Sequence, residues 1–184
     1  MTGMGRLIYV MGPSGCGKDS VMNYARERCA GNGTIFAHRY ITRPADAGGE
    51  NYVSVSPEEF QARLDHGLFA LNWDSHGLRY GVGMEVDLWL RHGVDAVLNG
   101  SRGYLAEAAR RYPDMVPVQI TVDRDTLRER LMARGRETRE EIQRRLDRAD
   151  WFDCTHGNMV CIDNSGRLEQ AGEELVRVIN ENGG

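Results

Sequence analysis

Arg6-Leu7-Ile8-Tyr9-Val10-Met11-Gly12-Pro13-Ser14-Gly15-Cys16-Gly17-Lys18-Asp19-Ser20 is the stretch on which the reading of this chain turns. Arg6 to Met11 is an apolar run with the length of a buried strand. It breaks at Gly12, and Lys18 to Cys29 carries the pattern of a helix. Gly12 to Lys18 therefore fits GxxxxGK in the strand-to-helix setting that this motif requires. The glycines let the backbone wrap a polyphosphate, and the helix start adds its positive end. Lys18 then reaches the β- and γ-phosphates. The bland reading, a glycine-rich turn with a solvent-facing lysine, is weakened by one count: of 23 Lys+Arg residues, Lys18 alone is lysine.

The expected contacts to ATP phosphates are Gly12, Pro13, Ser14, Gly15, Cys16, Gly17, Lys18, Asp19 and Ser20. Serine or threonine usually follows the lysine and binds Mg²⁺. Here Asp19 stands in that place and Ser20 follows. A carboxylate is a hard-oxygen ligand for Mg²⁺, directly or through water. Equally, Asp19 can do no more than favour the helix N-terminus.

Outward from this stretch, strands and helices alternate. Thr34 to Thr42 is a second strand candidate. Ser56-Pro57-Glu58-Glu59 is a helix start with a capping box, and that helix stops at Gly67. Extended pieces follow at Phe69 to Trp73 and Arg79 to Val82, then a helix from Met84 to His92. Val94 to Leu98 and Val116 to Val122 read as strands around a helix from Arg102 to Tyr112. A helix from Thr126 to Arg134 breaks at Gly135, and Thr138 with Glu141 caps another that runs to about Trp151. Met159 to Ile162 is a last strand. Leu168, Ala171, Leu175, Val178 and Ile179 stripe a closing helix. The alternation predicts an α/β fold, a parallel sheet covered by helices, with a P-loop at its first strand. The core spans about 1–36 and 93–184. The less regular 37–92 region reads as an insertion.

At 184 residues the chain has room for one substantial core. A net charge of −4 supplies no global basic field, which argues against non-specific nucleic-acid binding. No apolar stretch approaches the roughly 20 residues that span a bilayer, and no leader pattern opens the chain. The four cysteines, Cys16, Cys29, Cys154 and Cys161, have no zinc-site spacing. Their scatter suits a reducing cytosol, so a cytoplasmic protein is expected.

Arg124 to Arg148 holds nine arginines and six acids. More than half of these charges read as solvated helix faces with i,i+4 pairs. Gly135 interrupts the two helices as the hinge of a lid would, with the lid at about 135–140. Phosphoryl transfer needs cations over the charge that develops on the transferred group. Arg134 and Arg145, on either side of the hinge, are the preferred catalytic partners of Lys18.

Gly12 to Lys18, Thr42-Arg43-Pro44, Tyr52 before Val53 to Phe60, Arg134-Gly135 and Arg144-Arg145-Leu146 together resemble guanylate kinases along nearly the whole chain. The resemblance implies that the 37–92 region binds the acceptor and that Arg43 and Tyr52 hold its phosphate. The guanine-reading positions depart from that family. Its acceptor-site glutamate falls on Leu71, its second phosphate arginine near Asp46, and its Leu-Asp-Ile-Asp segment on Leu98-Asn99-Gly100-Ser101. A guanine needs a carboxylate to accept from its N–H donors, so GMP is a poor acceptor for this site.

His38 to Asn51, Lys18-Asp19-Ser20, Leu88-Trp89-Leu90 and Asn99-Gly100-Ser101-Arg102 are similar to the ribose 1,5-bisphosphate phosphokinases of phosphonate metabolism. That family also carries aspartate after the P-loop lysine. The resemblance implies transfer of the γ-phosphoryl of ATP to the 1-phosphate of ribose 1,5-bisphosphate, giving ADP and 5-phosphoribosyl 1-diphosphate. Two acceptor phosphates call for more cations, and Arg39, Arg79 and Arg102 are the additional ones. Tyr80 and Asn99 are candidates for sugar hydroxyls. The expected partner is thus a small phosphorylated molecule, and a homodimer is allowed without being required. The rival readings are a nucleoside-monophosphate kinase with relaxed base choice, a non-catalytic binding module and a P-loop regulatory nucleotide switch, the last disfavoured because no Asn-Lys-x-Asp-type motif is present. The intact P-loop disfavours the second.

Overall fold

A computed structural model describes residues 3–45, 50–135, 137–149 and 158–181. The elements run β1 (Leu7–Met11), α1 (Lys18–Arg28), β2 (Ile35–Ala37), β3 (Arg39–Ile41), β4 (Tyr52–Ser54), α2 (Pro57–Asp65), β5 (Phe69–Ser75), β6 (Leu78–Gly83) and α3 (Glu85–Arg91). They continue with β7 (Ala96–Asn99), a 3₁₀ turn (Arg102–Tyr104), α4 (Leu105–Arg111), β8 (Val116–Thr121), α5 (Arg124–Arg134), α6 (Arg139–Ala149), β9 (Val160–Asp163) and α7 (Leu168–Asn180). One five-stranded sheet has the order β2-β7-β1-β8-β9, with β2–β7 and β8–β9 paired in parallel. All five residues of β1 are buried, as its unbroken apolar run predicts for a strand covered on both faces.

The chain divides into two compact units. One comprises Met1–Tyr9 and Gly31–Met115, the other Val10–Ala30 and Val116–Gly184. The first holds a second sheet of order β4-β3-β6-β5, in which β3 runs antiparallel to β6 and β5 antiparallel to β6. Successive side chains point to opposite faces of a strand, and this sheet uses both. Tyr40 joins Val55, Phe60, Leu64 and Phe69 under α2. Its neighbour Arg39 turns to the other face, toward Trp73 and Tyr80.

The single strand expected from Thr34 to Thr42 is two strands in different sheets, broken at His38: β2 pairs with β7, and β3 with β4 and β6. Pattern alone does not separate them, because partner choice lies outside the segment. The helix expected from Arg102 opens as a 3₁₀ turn, with Tyr104 N bonded to Ser101 O, and Gly103 weakens any longer α-helical start. Gly100 fits where it does because a Cβ there would stand 2.3 Å from the Tyr9 ring. That ring's hydroxyl donates to Ser101 O and accepts from Ser101 N. Burial pushes the Tyr9 phenol up to about 12, so it remains a neutral strut.

In the second unit, α5 begins at Arg124, two residues before the expected start. Asp123 caps it, accepting from Thr126 N at 2.8 Å. Leu127 and Leu131 of α5 pack on Ile142 and Leu146 of α6. The reciprocal box of α6 is complete: Thr138 N donates to Glu141 Oε2, and Glu141 N to Thr138 Oγ. At α2 the Ser56 hydroxyl accepts from Glu59 N, but the Glu59 carboxylate takes Arg63 instead of closing the box. Ala171, Leu175 and Ile179 are buried on α7 as the stripe predicts. The Tyr24 ring of α1 lies against Gly172, where a Cβ would stand 2.2 Å away. Cys16 and Cys29 are buried and outside any disulfide, whereas Cys161 is disulfide-bonded, which departs from the expectation of four reduced cysteines. Trp151, the expected end of α6, and Cys154 lie outside the described residues.

Candidate active site

Gly12 to Gly17 forms the loop between β1 and α1. Gly17 is the N-cap residue of α1 at φ 84, a left-handed conformation that costs a residue with a Cβ about 1–2 kcal/mol. Space excludes a side chain there as well, since a Cβ would come within 2.5 Å of Asn164 Nδ2. Cys16 N bonds Pro13 O at 3.2 Å, which closes the turn. Its carbonyl accepts from Asn164 Nδ2 at 2.7 Å and from Arg130 Nη1 at 3.4 Å. Arg130 Nη2 in turn donates to Asn164 O at 2.8 Å. Two residues distant in sequence thus clamp the loop through the Cys16 carbonyl. Lys18 and Asp19 are the first two residues of α1 and are half-buried, while Ser20 is exposed.

The two arginines of the expected lid behave differently. Arg145 Nη1 donates to the Ser14 hydroxyl at 2.7 Å, and Nη2 pairs with Glu137 Oε1 at 2.6 Å. Glu137 is largely buried, and its other oxygen has no hydrogen-bond partner among the described residues. Arg134 is exposed at the end of α5, followed by Gly135 at φ 61. Within this unit the fold brings Arg145 to the loop.

In the first unit, Arg43 lies just beyond β3, with its guanidinium 4.2 Å from the centre of the Tyr52 ring. Its Nε and Nη2 are buried and have no hydrogen-bond partner among the described residues. The Tyr52 hydroxyl donates to the Pro44 carbonyl. Arg39, Tyr80 and Asn99 come together, but around a residue that the sequence reading passed over. Arg39 Nε donates to Glu50 Oε1 at 3.0 Å, and Asn99 Nδ2 to Glu50 Oε2 at 3.1 Å. Tyr80 stacks on Trp73 at 5.6 Å, and Tyr104 stacks on the same indole. Arg39 is therefore charge-compensated, which the expectation of a phosphate cation did not include.

Arg79 is not part of this group. It bonds Gln61 Oε1 at 2.9 Å and lies over the Phe60 ring, on the α2 side of the sheet. Strand alternation dictates this, since its neighbour Tyr80 occupies the opposite face. Arg102 begins the 3₁₀ turn and is half-buried. Leu71 is 3% exposed in β5, an apolar side chain at the position where a guanine-reading carboxylate was missed in the sequence. The signals for Glu50, Asn164, Arg130 and Glu137 were absent because each acts through a tertiary partner.

No three His, Cys, Asp or Glu side chains among the described residues are grouped to hold a metal ion. A phosphate-bound Mg²⁺ needs one or two protein oxygens and keeps several waters. Asp19 and Ser20, in the first turn of α1, carry oxygens of the kind such an ion takes.

The chain superposes on a guanylate kinase from Anaplasma phagocytophilum with a TM-score of 0.72, covering 98% of this chain and 87% of that one at 18% identity. It is also similar to a gluconokinase from Sinorhizobium meliloti 1021, at a TM-score of 0.54 and 19% identity, over 98% of this chain and 94% of that one. Fold and loop define a P-loop kinase of the guanylate-kinase-like architecture. No family model matches the chain. Among curated proteins, the ribose 1,5-bisphosphate phosphokinase PhnN of Thiobacillus denitrificans is 55% identical over 178 residues, 96% of this chain and 94% of that protein. The protein of the same name from Desulfomicrobium baculatum is 54% identical over 179 residues, 97% of this chain and 96% of its own length. A third, from Psychromonas ingrahamii, is 52% identical over 95% of this chain and 90% of its own. The chain belongs to the ribose 1,5-bisphosphate phosphokinase family. No helix among the described residues is long and apolar enough to cross a membrane.

Proposed function

We propose that the protein transfers the γ-phosphoryl of ATP to the 1-phosphate of ribose 1,5-bisphosphate, giving ADP and 5-phosphoribosyl 1-diphosphate. The observation that carries this reading is the identity of more than half of the residues with PhnN kinases over nearly the whole chain. Buried Leu71 supports it against GMP, because no carboxylate stands there to accept guanine N–H groups. ATP, the donor in this reading, is a cytoplasmic metabolite, which supports action in the cytoplasm.

An oxygen of the 1-phosphate attacks the γ-phosphorus in line. The bond from that phosphorus to the β–γ bridging oxygen breaks, and ADP leaves with the electron pair. A phosphate monoester has its second pKa at about 6, so the nucleophile is ionised at neutral pH and no general base is needed. Catalysis is then alignment and charge neutralisation. The loop N–H groups and the α1 N-terminus hold the triphosphate, and Lys18 carries its charge to the β- and γ-phosphates. Mg²⁺, held through Asp19 and Ser20, would neutralise the β- and γ-oxygens. Arg145 would exchange the Ser14 hydroxyl for the transferring phosphoryl group. Arg43, with two buried donors in a planar fork, suits an acceptor phosphate, since unpaired buried donors cost about 1–3 kcal/mol each until an acceptor arrives. Tyr52 beside it would join by giving up the Pro44 carbonyl.

The test is incubation of the purified protein with Mg-ATP and either ribose 1,5-bisphosphate or nucleoside monophosphates, with ADP release followed and products identified by ³¹P NMR. A diphosphate at sugar C1, with little turnover of GMP, is the expected result. Efficient turnover of GMP would remove the sugar-bisphosphate reading and leave the fold.

A further inference from the structure

Arg39 and Glu50 form a buried ion pair in the first unit, with side chains only 9% and 11% exposed. Arg39 Nε donates to Glu50 Oε1 and Nη2 to Oε2, so the pair is bidentate. Asn99, 5% exposed at the end of β7, donates to the same Oε2. The guanidinium lies 4.9 Å from the Tyr80 ring centre and 5.7 Å from that of Trp73. The Trp73 and Tyr80 planes are within 3° of parallel.

Stability does not account for this pair. Burying two charges carries a desolvation penalty, and well-packed apolar residues of equal volume do as well or better. A phosphate site does not account for it either, because the carboxylate cancels the charge that an anion would seek. What remains is a rigid hydrogen-bond acceptor. An ionised carboxylate has about four acceptor positions. Among the described residues Arg39 and Asn99 occupy three, two of them on Oε2, which leaves one on Oε1. An acceptor fixed by an arginine and an amide, next to electron-rich ring faces, suits a polyol. A sugar hydroxyl donates to the oxygen.

We infer that Glu50 is a specificity-determining residue that accepts a hydrogen bond from a ring hydroxyl of the acceptor sugar, with Arg39 and Asn99 as its positioning residues. The inference rests on the sugar-bisphosphate reading above. It assigns Arg39 to holding a carboxylate rather than binding phosphate, and it places sugar recognition at a position absent from the sequence expectations.

Rates with Mg-ATP are compared for ribose 1,5-bisphosphate and its 2-deoxy and 3-deoxy analogues, using the full chain and the Glu50→Gln and Glu50→Asp variants. The unaltered enzyme is expected to lose on the order of 100-fold or more in kcat/KM on one deoxy analogue, as a site built around a hydroxyl does. Both variants should narrow that preference to within about tenfold, by losing rate on the hydroxylated substrate alone. Glu50→Asp keeps the charge facing Arg39 and withdraws the oxygen, so it decides the matter should Glu50→Gln fail to fold. Equal turnover of all three sugars by the unaltered enzyme overturns the inference and spares the assigned reaction. Variants that lose rate equally on all three, or keep the preference, overturn it too. Turnover of GMP with none of ribose 1,5-bisphosphate removes both.

Discussion

Arg145 reaches the Ser14 hydroxyl at 2.7 Å while Glu137 grips its other nitrogen at 2.6 Å. A helix some 130 positions downstream thereby delivers a cation to the P-loop, and a carboxylate fixes the direction in which its fork points.

Arg145→Ala is expected to lower kcat by about 10²–10³, the loss typical for a donor aimed at transition-state charge, with a smaller change in KM for ATP. Glu137→Gln should lower kcat by a lesser factor, because Arg145 then loses its guide. In an Arg145→Ala background Glu137→Gln should change nothing further. Steady-state rates of the two single variants and the double variant check this, and independent, multiplying losses would disprove action through Arg145.

The outer clamp of the loop makes a separate prediction. Asn164→Ala removes the 2.7 Å bond to the Cys16 carbonyl and should destabilise the fold by about 1–3 kcal/mol, as loss of a buried partner does. ATP should bind more weakly as well, since the loop loses its outer tether. Thermal melts with and without ATP measure both effects. Gly17→Ala should be worse for binding, for its Cβ meets Asn164 in a left-handed conformation.

Arg43→Met keeps much of the side-chain volume and removes the two unpartnered donors. A charge-assisted bond is worth about 1.5–3 kcal/mol, so kcat/KM for the acceptor should fall roughly 10–100-fold with KM for ATP unchanged. Arg79→Met, on the other face of the sheet, should leave the acceptor KM where it was. A matching loss in both would place Arg79 back in the site.

Acid should loosen the second unit first at its helix caps. Hydrogen bonds from the Thr126 hydroxyl and N–H hold Asp123 at about 2. The unfolded value is about 3.9, so the capping contribution is complete above that pH and is lost as pH falls toward 2. Glu141 is lowered by its bond to Thr138 N and acts in the same direction. An Asp123→Asn variant, which still caps but does not titrate, should flatten the acid limb of a melting profile between about pH 4 and pH 2. An unchanged limb would exclude Asp123 as its source.

The loop, its lysine, the alternation of elements and the capping residues Ser56 and Thr138 were legible in the sequence. Each is a local device, in which spacing along a few residues decides the backbone and the chemistry together. The division of residues 34–42 into two strands was not legible, because the segment reads as one extended run and only the partners, β7 for one half and β4 with β6 for the other, separate them.

The sequence by itself determined that Gly12 to Lys18 is a GxxxxGK loop between a strand and a helix, and that apolar Leu71 stands where guanylate kinases carry a guanine-reading glutamate. Motif and residue type suffice for both. Only the tertiary structure decided what each arginine does. Arg39 faces Glu50, Arg79 turns to α2, Arg130 clamps Cys16 and Arg145 reaches Ser14. A guanidinium has the same charge everywhere in the sequence, and its role is set by whether the fold gives it a carboxylate, an amide, a carbonyl or a hydroxyl.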